Sequence, residues 1–370
     1  MKPFEHGFVT GKFYPPHKGH IYLARAAARQ CGRVTVALLG SHAESVDPGL
    51  RASWLRTCLA DLSNVVVTWA WDDLPVDYAD RAIWEAHVAL MREAVQRTGA
   101  PTLPDVVYSS EAYGHELAAR LGAHHVLLDH RRSLYPFSGT AVRADPVAHW
   151  DALPPAVQAG LALRVVGIGA ESTGTTTLCR DLAHALQARG GAWARTRWIP
   201  EFGREYSADL LALARAFRRE AGPGDVAWCE ADFVTIAETQ TANEANAAGE
   251  GSPVLVCDTD ALATTVWHER YRGCRSASVE AVAVAMPPRA LYLLTDHIGV
   301  PFEDDGLRDG EHLRAAMTAR FRQVVTASGT PWVELRGGRA ARLAQALEAV
   351  DARVATGWGF TPPLPEANKP

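Results

Sequence analysis

The sequence predicts two successive α/β domains, each built on a doubly wound parallel sheet. Three observations carry that prediction. Short, nearly all-apolar runs alternate with helix-length segments along the chain, as in sheets whose strands are covered on both faces. The alternation restarts after Asp145-Pro146. Each half also opens with a strand, a glycine-containing turn and a helix, at residues 11–20 and again at 169–177. The 370 residues are enough for two hydrophobic cores.

In the first half the strands are His6–Phe13, Val34–Leu39, Val65–Trp71, Asp105–Ser109 and His125–Leu128. Helical patterns lie between them near 20–31, 50–62, 78–97 and 112–121. A Pro-Pro pair inside AHWDALPPAVQAG marks a boundary near 146–160. The second half begins with the apolar run LALRVVGIG and a helix over 176–188. Two Ala-rich helical patterns, 208–221 and 228–247, follow with no strand between them. They form either an insertion over a binding site or a pair packed on the sheet. The next strands are Pro253–Cys257, Ala290–Leu294 and Trp332–Leu335. The domains are therefore set at 1–148 and 160–356, with a loose Pro-rich tail at 357–370.

Composition excludes several classes. Apolar residues make up 48% and charged residues 21%, too balanced for a disordered chain. No apolar run approaches the roughly 20 residues of a membrane span, and the first residues lack a signal-peptide core. Cysteines 31, 58, 179, 229, 257 and 274 form no CxxC pair, which suits reduced thiols in the cytoplasm. A net charge of −5 does not suit a general DNA-binding surface.

The string GKFYPPHKGH ends a strand at Gly11 and opens a helix near Lys18. Phe13 and the prolines stiffen the turn. His17 and His20, with Gly19 between them, then face the space above a helix N-terminus, where free N–H groups and the helix dipole favour anions. With Lys12 or Lys18 they can hold a phosphate whose charge grows during attack. The absence of a neighbouring nucleophile favours direct in-line transfer. Near the end of the same domain, Ser138 and Thr140 offer hydroxyl caps, and Arg143 offers a fork for phosphate oxygens.

The second turn, GAESTGTTT, has the spacing of a phosphate-binding P-loop, comprising Gly169, Glu171, Ser172, Thr173, Gly174, Thr175, Thr176 and Thr177. Thr176 and Asp258, the latter at the end of VLVCD, are the magnesium ligands to expect. Thr175 stands where the motif has Lys. Catalysis there needs another cation, and Arg204 in EFGREY and Arg308 in EDDGLRDG are the candidates.

GKFYPPHKGH resembles the G-x-F-x-P-x-H-x-G-H signature of the nucleotidyltransferase superfamily, and FSGTAVR its second signature. Together with RASWLR, YSSEAYG, GAESTGT, PEFGREY, CDTD and EDDGLR, in that order, the chain resembles the NadR family. The resemblance implies a Rossmann-like nucleotidyltransferase followed by a P-loop kinase-like domain. The first would join ATP and nicotinamide mononucleotide (NMN) into NAD and pyrophosphate. The second would phosphorylate ribosylnicotinamide with ATP and Mg²⁺. It further implies that His17, His20, Arg143 and Lys12 handle the ATP phosphates, beside Gly11, Phe13, Gly19, Ser138 and Thr140. Trp84, and after it Trp54, would either stack on nicotinamide or serve the core and helix packing, and Asp260, Glu201 or Arg204 would meet the ribose hydroxyl. The family's N-terminal helix-turn-helix is not expected here, nor are DNA or membrane partners; a homo-oligomer is compatible with the sequence. Two rivals stand beside this reading: a transferase for another phosphorylated substrate, and a second domain that senses nucleotide without catalysis.

Overall fold

The computed structural model describes residues 2–368. The chain forms two compact units, Met1–Val157 together with Gly357–Pro370, and Gln158–Thr356. Both are α/β with five parallel strands in the main sheet. No described helix is long and apolar enough to cross a membrane.

The first unit runs β1 (Phe4–Gly11), α1 (Lys18–Gln30), β2 (Cys31–Gly40), α2 (Pro48–Cys58), β3 (Val65–Trp71), a short β4 (Val76–Asp77) and α3 (Arg81–Gln96). It continues with β5 (Val106–Ser109), α4 (Gly114–Leu121), β6 (His124–Leu127) and α5 (Gly139–Ala144). The sheet order is β3-β2-β1-β5-β6. Successive side chains on β1 point to opposite faces. Val9 accordingly packs with Ala27, Val36 and Leu55 on one side, and Phe8 with Val88 and Leu117 on the other. Strand order reverses between β1 and β5, so the loops leaving these strands flank the crevice where doubly wound sheets bind ligands.

The expectation of a loose tail is not met. Phe360 packs edge-on against Tyr14 with ring centroids 5.5 Å apart, and the Tyr14 hydroxyl donates to the Thr361 carbonyl at 3.2 Å. A last strand (Glu366–Ala367) pairs in parallel with β4, and Asn368 Nδ2 donates to Asp77 Oδ1 at 2.8 Å. Proline fixes φ and removes a backbone donor; Phe360 and Thr361 ahead of Pro362, and Glu366 to Asn368 after Pro365, anchor the segment.

In the second unit, α6 (Pro155–Leu161) leads across the unit boundary to β7 (Leu163–Gly169), α7 (Thr175–Gln187), β8 (Arg197–Ile199), α8 (Phe202–Phe217) and α9 (Glu230–Ala248). Next come β9 (Val254–Asp258), α10 (Ala261–Arg272), α11 (Ala277–Ala285), β10 (Leu291–Thr295), α12 (Arg314–Ser328), β11 (Trp332–Leu335) and α13 (Arg339–Ala355). The tail strand is thus β12. The sheet order is β11-β10-β7-β9-β8, with the glycine turn leaving its central strand, β7. Of the Ala-rich pair, α8 begins earlier than its composition suggests and α9 slightly later. Helix α9 packs against β8 and β9, and both helices line a cavity through Gly203, Arg204, Ser207, Phe233 and Ile236.

Candidate functional site

In the first unit the turn after β1 opens onto a cavity of about 640 Å³. The rings of His17 and His20 stack there with centroids 3.6 Å apart, and the His17 backbone N–H donates to His20 Nδ1 at 3.2 Å. Phe13, in the left-handed region at φ 46°, sets its ring edge-on to His20 at 4.8 Å. Gly19 is tightly packed: a Cβ would lie 3.1 Å from His17 Nδ1 and 3.4 Å from Tyr135, so a larger residue would press on the His17 ring.

Burial, with the charge of Arg132 beside it, lowers the His17 pKa to about 3. Burial, then His17 and Arg132, also holds His20 well below its usual value. Both imidazoles are therefore neutral at pH 7. His17 Nδ1 is buried without a hydrogen-bonding partner.

Around this pair stand three cations. Arg143 Nη1 donates to the Tyr14 carbonyl at 2.6 Å and its guanidinium lies over the Tyr14 ring. Ser138 caps α5 by accepting from Ala141 N–H at 3.2 Å, and Thr140 lies 3.3 Å from Arg143 Nη2. Lys12 sits 3.7 Å from Glu366 and donates to the Leu364 carbonyl at 3.4 Å. Arg132, which sequence reasoning missed, donates to the Phe137 carbonyl at 2.9 Å and to Glu111 at 3.2 Å.

Gly11, Phe13, Gly19, Ser138 and Thr140 all line the cavity, whereas the exposed Lys18 does not. Residues 363–366 of the tail form part of its wall. Trp84 is also in the wall, but as a core residue whose indole N–H donates to the Tyr78 carbonyl at 3.0 Å. Trp54 is buried on α2 and does not line the cavity, which corrects its assignment as a stacking candidate. Such a mix of cations and neutral imidazole donors suits a phosphate-bearing ligand.

In the second unit the loop 169–177 lines a cavity of about 290 Å³. Ser172 and Gly174 adopt positive φ of 54° and 84°, so the backbone curls before entering α7. The Thr175 hydroxyl does not project as a lysine substitute would. It lies 2.9 Å from Thr295 Oγ1 and 3.3 Å from Thr173 Oγ1, tying the loop to the end of β10. A Cβ on Gly169 would fall 2.2 Å from Thr295 Oγ1, which explains that glycine.

Thr176 hydrogen-bonds the Asp258 side chain, whose Oδ2 is buried without a partner. Burial pushes the Asp258 carboxyl up, against the Thr176 hydrogen bond; burial and then the Asp258 charge push Glu201 up. Arg204 and Arg308 line the same cavity, although Arg204 is engaged with Asp305, and Arg308 donates to the Glu303 carbonyl at 3.0 Å. The segment 303–310 docks on the loop: Glu303 N–H donates to Ser172 Oγ at 3.1 Å, and Gly310 N–H to Glu171 at 2.8 Å.

Trp228, Phe233 and Tyr271 form an aromatic cluster in the cavity wall, centroids of Trp228 and Phe233 5.0 Å apart. Of the three, the sequence points only to Phe233, beside Asp232 on its helical stretch; Trp228 and Tyr271 it does not single out. Asp260 must be reassigned. It is fully buried, caps α10 through Ala263 N–H, and takes hydrogen bonds from Arg289 Nε at 3.0 Å and the Tyr292 hydroxyl at 2.7 Å. It is absent from the cavity wall and holds the core together. Among the described residues, no group of three His, Cys, Asp or Glu forms a ready metal cluster.

These features define a two-unit α/β protein, with a histidine-lined cavity in one unit and a glycine-loop cavity in the other. Residues 164–342 match the family described as AAA domain. The chain is 27% identical over 315 residues to the trifunctional NAD biosynthesis/regulator protein NadR of Escherichia coli (strain K12), a match covering 82% of this chain and 71% of that protein. Against the same-named protein of Salmonella typhimurium it is 26% identical, with the same coverage. The chain is homologous to these NadR proteins. A NadR crystal structure in complex with NR shares the fold at TM-score 0.68 and 21% identity, over 95% of this chain and 96% of that one. A NadR structure in complex with NAD and AMP-PNP does so at TM-score 0.65 and 20% identity, over 96% and 97%.

Proposed function

We propose that this protein acts in NAD biosynthesis, and that the first unit transfers the adenylyl group of ATP to NMN. The observation that carries this reading is the stacked neutral pair His17–His20 inside a cavity that also gathers Lys12, Arg132 and Arg143. In the reaction an NMN phosphate oxygen attacks the α-phosphorus of ATP; the α–β bridging P–O bond breaks, and pyrophosphate leaves with the electron pair. The attacking oxygen is already anionic, so no side chain has to take a proton. The imidazole N–H groups and the three cations are aimed at oxygens whose charge grows in the transition state. Homology to proteins named for NAD biosynthesis supports the choice of substrates. Purified protein given ATP and NMN should yield NAD and pyrophosphate. NAD formation that is absent with NMN but present with another phosphorylated acceptor assigns the rival transferase instead.

For the second unit the reading is ATP binding at the loop 169–177 and slow phosphorylation of ribosylnicotinamide. Glu201 and Asp258, brought to one cavity wall with Arg204 and Arg308, favour it. Thr176 and Asp258, with its buried partnerless Oδ2, fit Mg²⁺. Magnesium would neutralise phosphate charge there, while Arg308 supplies a cation from the docked segment and Glu201 accepts the ribose hydroxyl proton. ATP binding without any NMN produced from ribosylnicotinamide would make this unit a nucleotide sensor.

A further inference from the structure

A phosphate loop without its lysine must obtain positive charge and rigidity elsewhere, and two arginines outside the cavity wall touch this loop. Arg342, on the first turn of α13, donates through Nη1 to the Thr173 carbonyl at 2.7 Å. Its other nitrogens bond the Asp296 carbonyl at 2.7 Å and the Gly337 carbonyl at 2.7 Å. Arg314, the first residue of α12, donates through Nη2 to the Ser172 carbonyl at 3.0 Å and through Nη1 to the Val300 carbonyl at 2.9 Å. Both are buried, with 5% and 8% of their surfaces exposed. Neither lines the cavity.

The placement matters because a trans peptide points its C=O and its N–H in opposite directions. The Ser172 carbonyl shares a peptide with the N–H of Thr173, and the Thr173 carbonyl shares one with the N–H of Gly174. Thr173 and Gly174 both line the cavity. A guanidinium bound on the carbonyl side therefore fixes the direction of each N–H and polarises the peptide, strengthening its donor. Two consecutive loop peptides are gripped in this way.

Charge gives a second, independent reason. Buried cations are ordinarily paired with carboxylates, yet neither arginine makes an ion pair among the described residues, and Arg314 Nε is buried without a partner. Asp296, whose backbone carbonyl Arg342 binds, has its carboxylate 3.4 Å from Arg336 and takes the Ile298 N–H at 3.2 Å. Burial lowers the Arg342 pKa, Asp296 raises it and Arg314 lowers it again. Two neighbouring buried cations are thus solvated mainly by carbonyls, and an anion at the loop would complete their field.

We propose that Arg342 and Arg314 are positioning residues of the second unit. They aim the Thr173 and Gly174 N–H groups at a polyphosphate and supply, from behind the loop, the positive charge that Thr175 lacks. The proposal rests on reading 169–177 as a phosphate site.

The test follows the Gly174 amide in full-length protein labelled with ¹⁵N-glycine, a probe local to this loop, during titration with MgATP. Arg342→Gln should weaken binding about tenfold or more, the scale of a lost charge-assisted hydrogen bond. It should also move the Gly174 amide proton upfield before ATP is added. Arg342→Lys, which keeps the charge, should lose about threefold or less. Arg314→Gln should weaken binding in the same sense, and it provides the reading if Arg342→Gln does not fold. An affinity within about twofold of wild type in both Gln variants, with the resonance unmoved, overturns the positioning role. A wild-type Gly174 amide that ignores millimolar MgATP overturns the phosphate-loop reading, and the proposal with it.

Discussion

The two sites begin from one architectural device, a glycine turn that leaves the central strand of a parallel sheet and enters a helix, but they make opposite use of charge. In the first unit the cavity itself holds the cations Lys12, Arg132 and Arg143, and the histidines between them are neutral because burial and Arg132 suppress protonation. In the second unit the cavity wall holds acids whose ionisation burial opposes. The cations are either engaged with the 303–310 segment or set behind the loop. The comparison teaches that a helix N-terminus is only a common starting point. What surrounds it determines whether the site stabilises charge directly or through its own backbone.

Four experiments bear on this contrast. His20→Ala should lower kcat for NAD formation by about 10²–10³, the scale for one preorganised donor, with less change in KM for NMN; steady-state kinetics on ATP and NMN measure it. The Gly174 response to MgATP should be unaffected. Retention of near-normal turnover would remove the stacked imidazoles from the catalytic centre.

Asp260→Asn should act on stability instead. Removing one partner of a buried ion pair costs about 3–5 kcal/mol, and the lower end applies here because Arg289 keeps a second carboxylate, Glu244, at 2.8 Å. Thermal denaturation should show a destabilised transition. Ribosylnicotinamide affinity, measured below that transition, should stay unchanged; a selective loss of affinity would return Asp260 to the substrate site.

Deleting 357–370 removes the wall at 363–366 and the Lys12–Glu366 pair. NAD formation should fall by roughly tenfold, mainly through KM, as expected for lost positioning. Unchanged KM and kcat in the truncated chain would show the tail to be dispensable.

The smallest effect is a signal that stays still. A pKa lowered to about 3 keeps His17 neutral until strongly acid pH. Its imidazole resonances should therefore not titrate between pH 8 and 5, where an ordinary imidazole near 6.5 does. A midpoint near 6.5 would mean that the ring is solvated.

The strand–helix alternation and both turns were legible in sequence because their signals are local. GKFYPPHKGH packs strand end, turn and helix start into ten residues, and all of its functional members except Lys18 reach the cavity. Arg132 was not legible: it sits in an irregular segment, and its position depends on Phe137 and Glu111. Asp258 and Asp260 look equivalent in CDTD, yet one faces the cavity and the other caps α10 into a core ion cluster. Their two-residue spacing carries no information about Arg289 and Tyr292, which are distant in sequence. The tail fails for the same reason, since Tyr14, Ser45 and Asp77, its partners, lie about three hundred residues upstream.

That last feature has a temporal side. Residues 363–366 emerge from the ribosome roughly two hundred residues after Val157, the end of the first unit's main segment. At 5–20 residues per second, that is a delay of about 10–40 s. During it the nascent first sheet can form while its ligand crevice lacks one wall. The first unit's crevice therefore gains this wall only after the second unit has been translated, and chains that stall inside the second unit carry an unfinished first one.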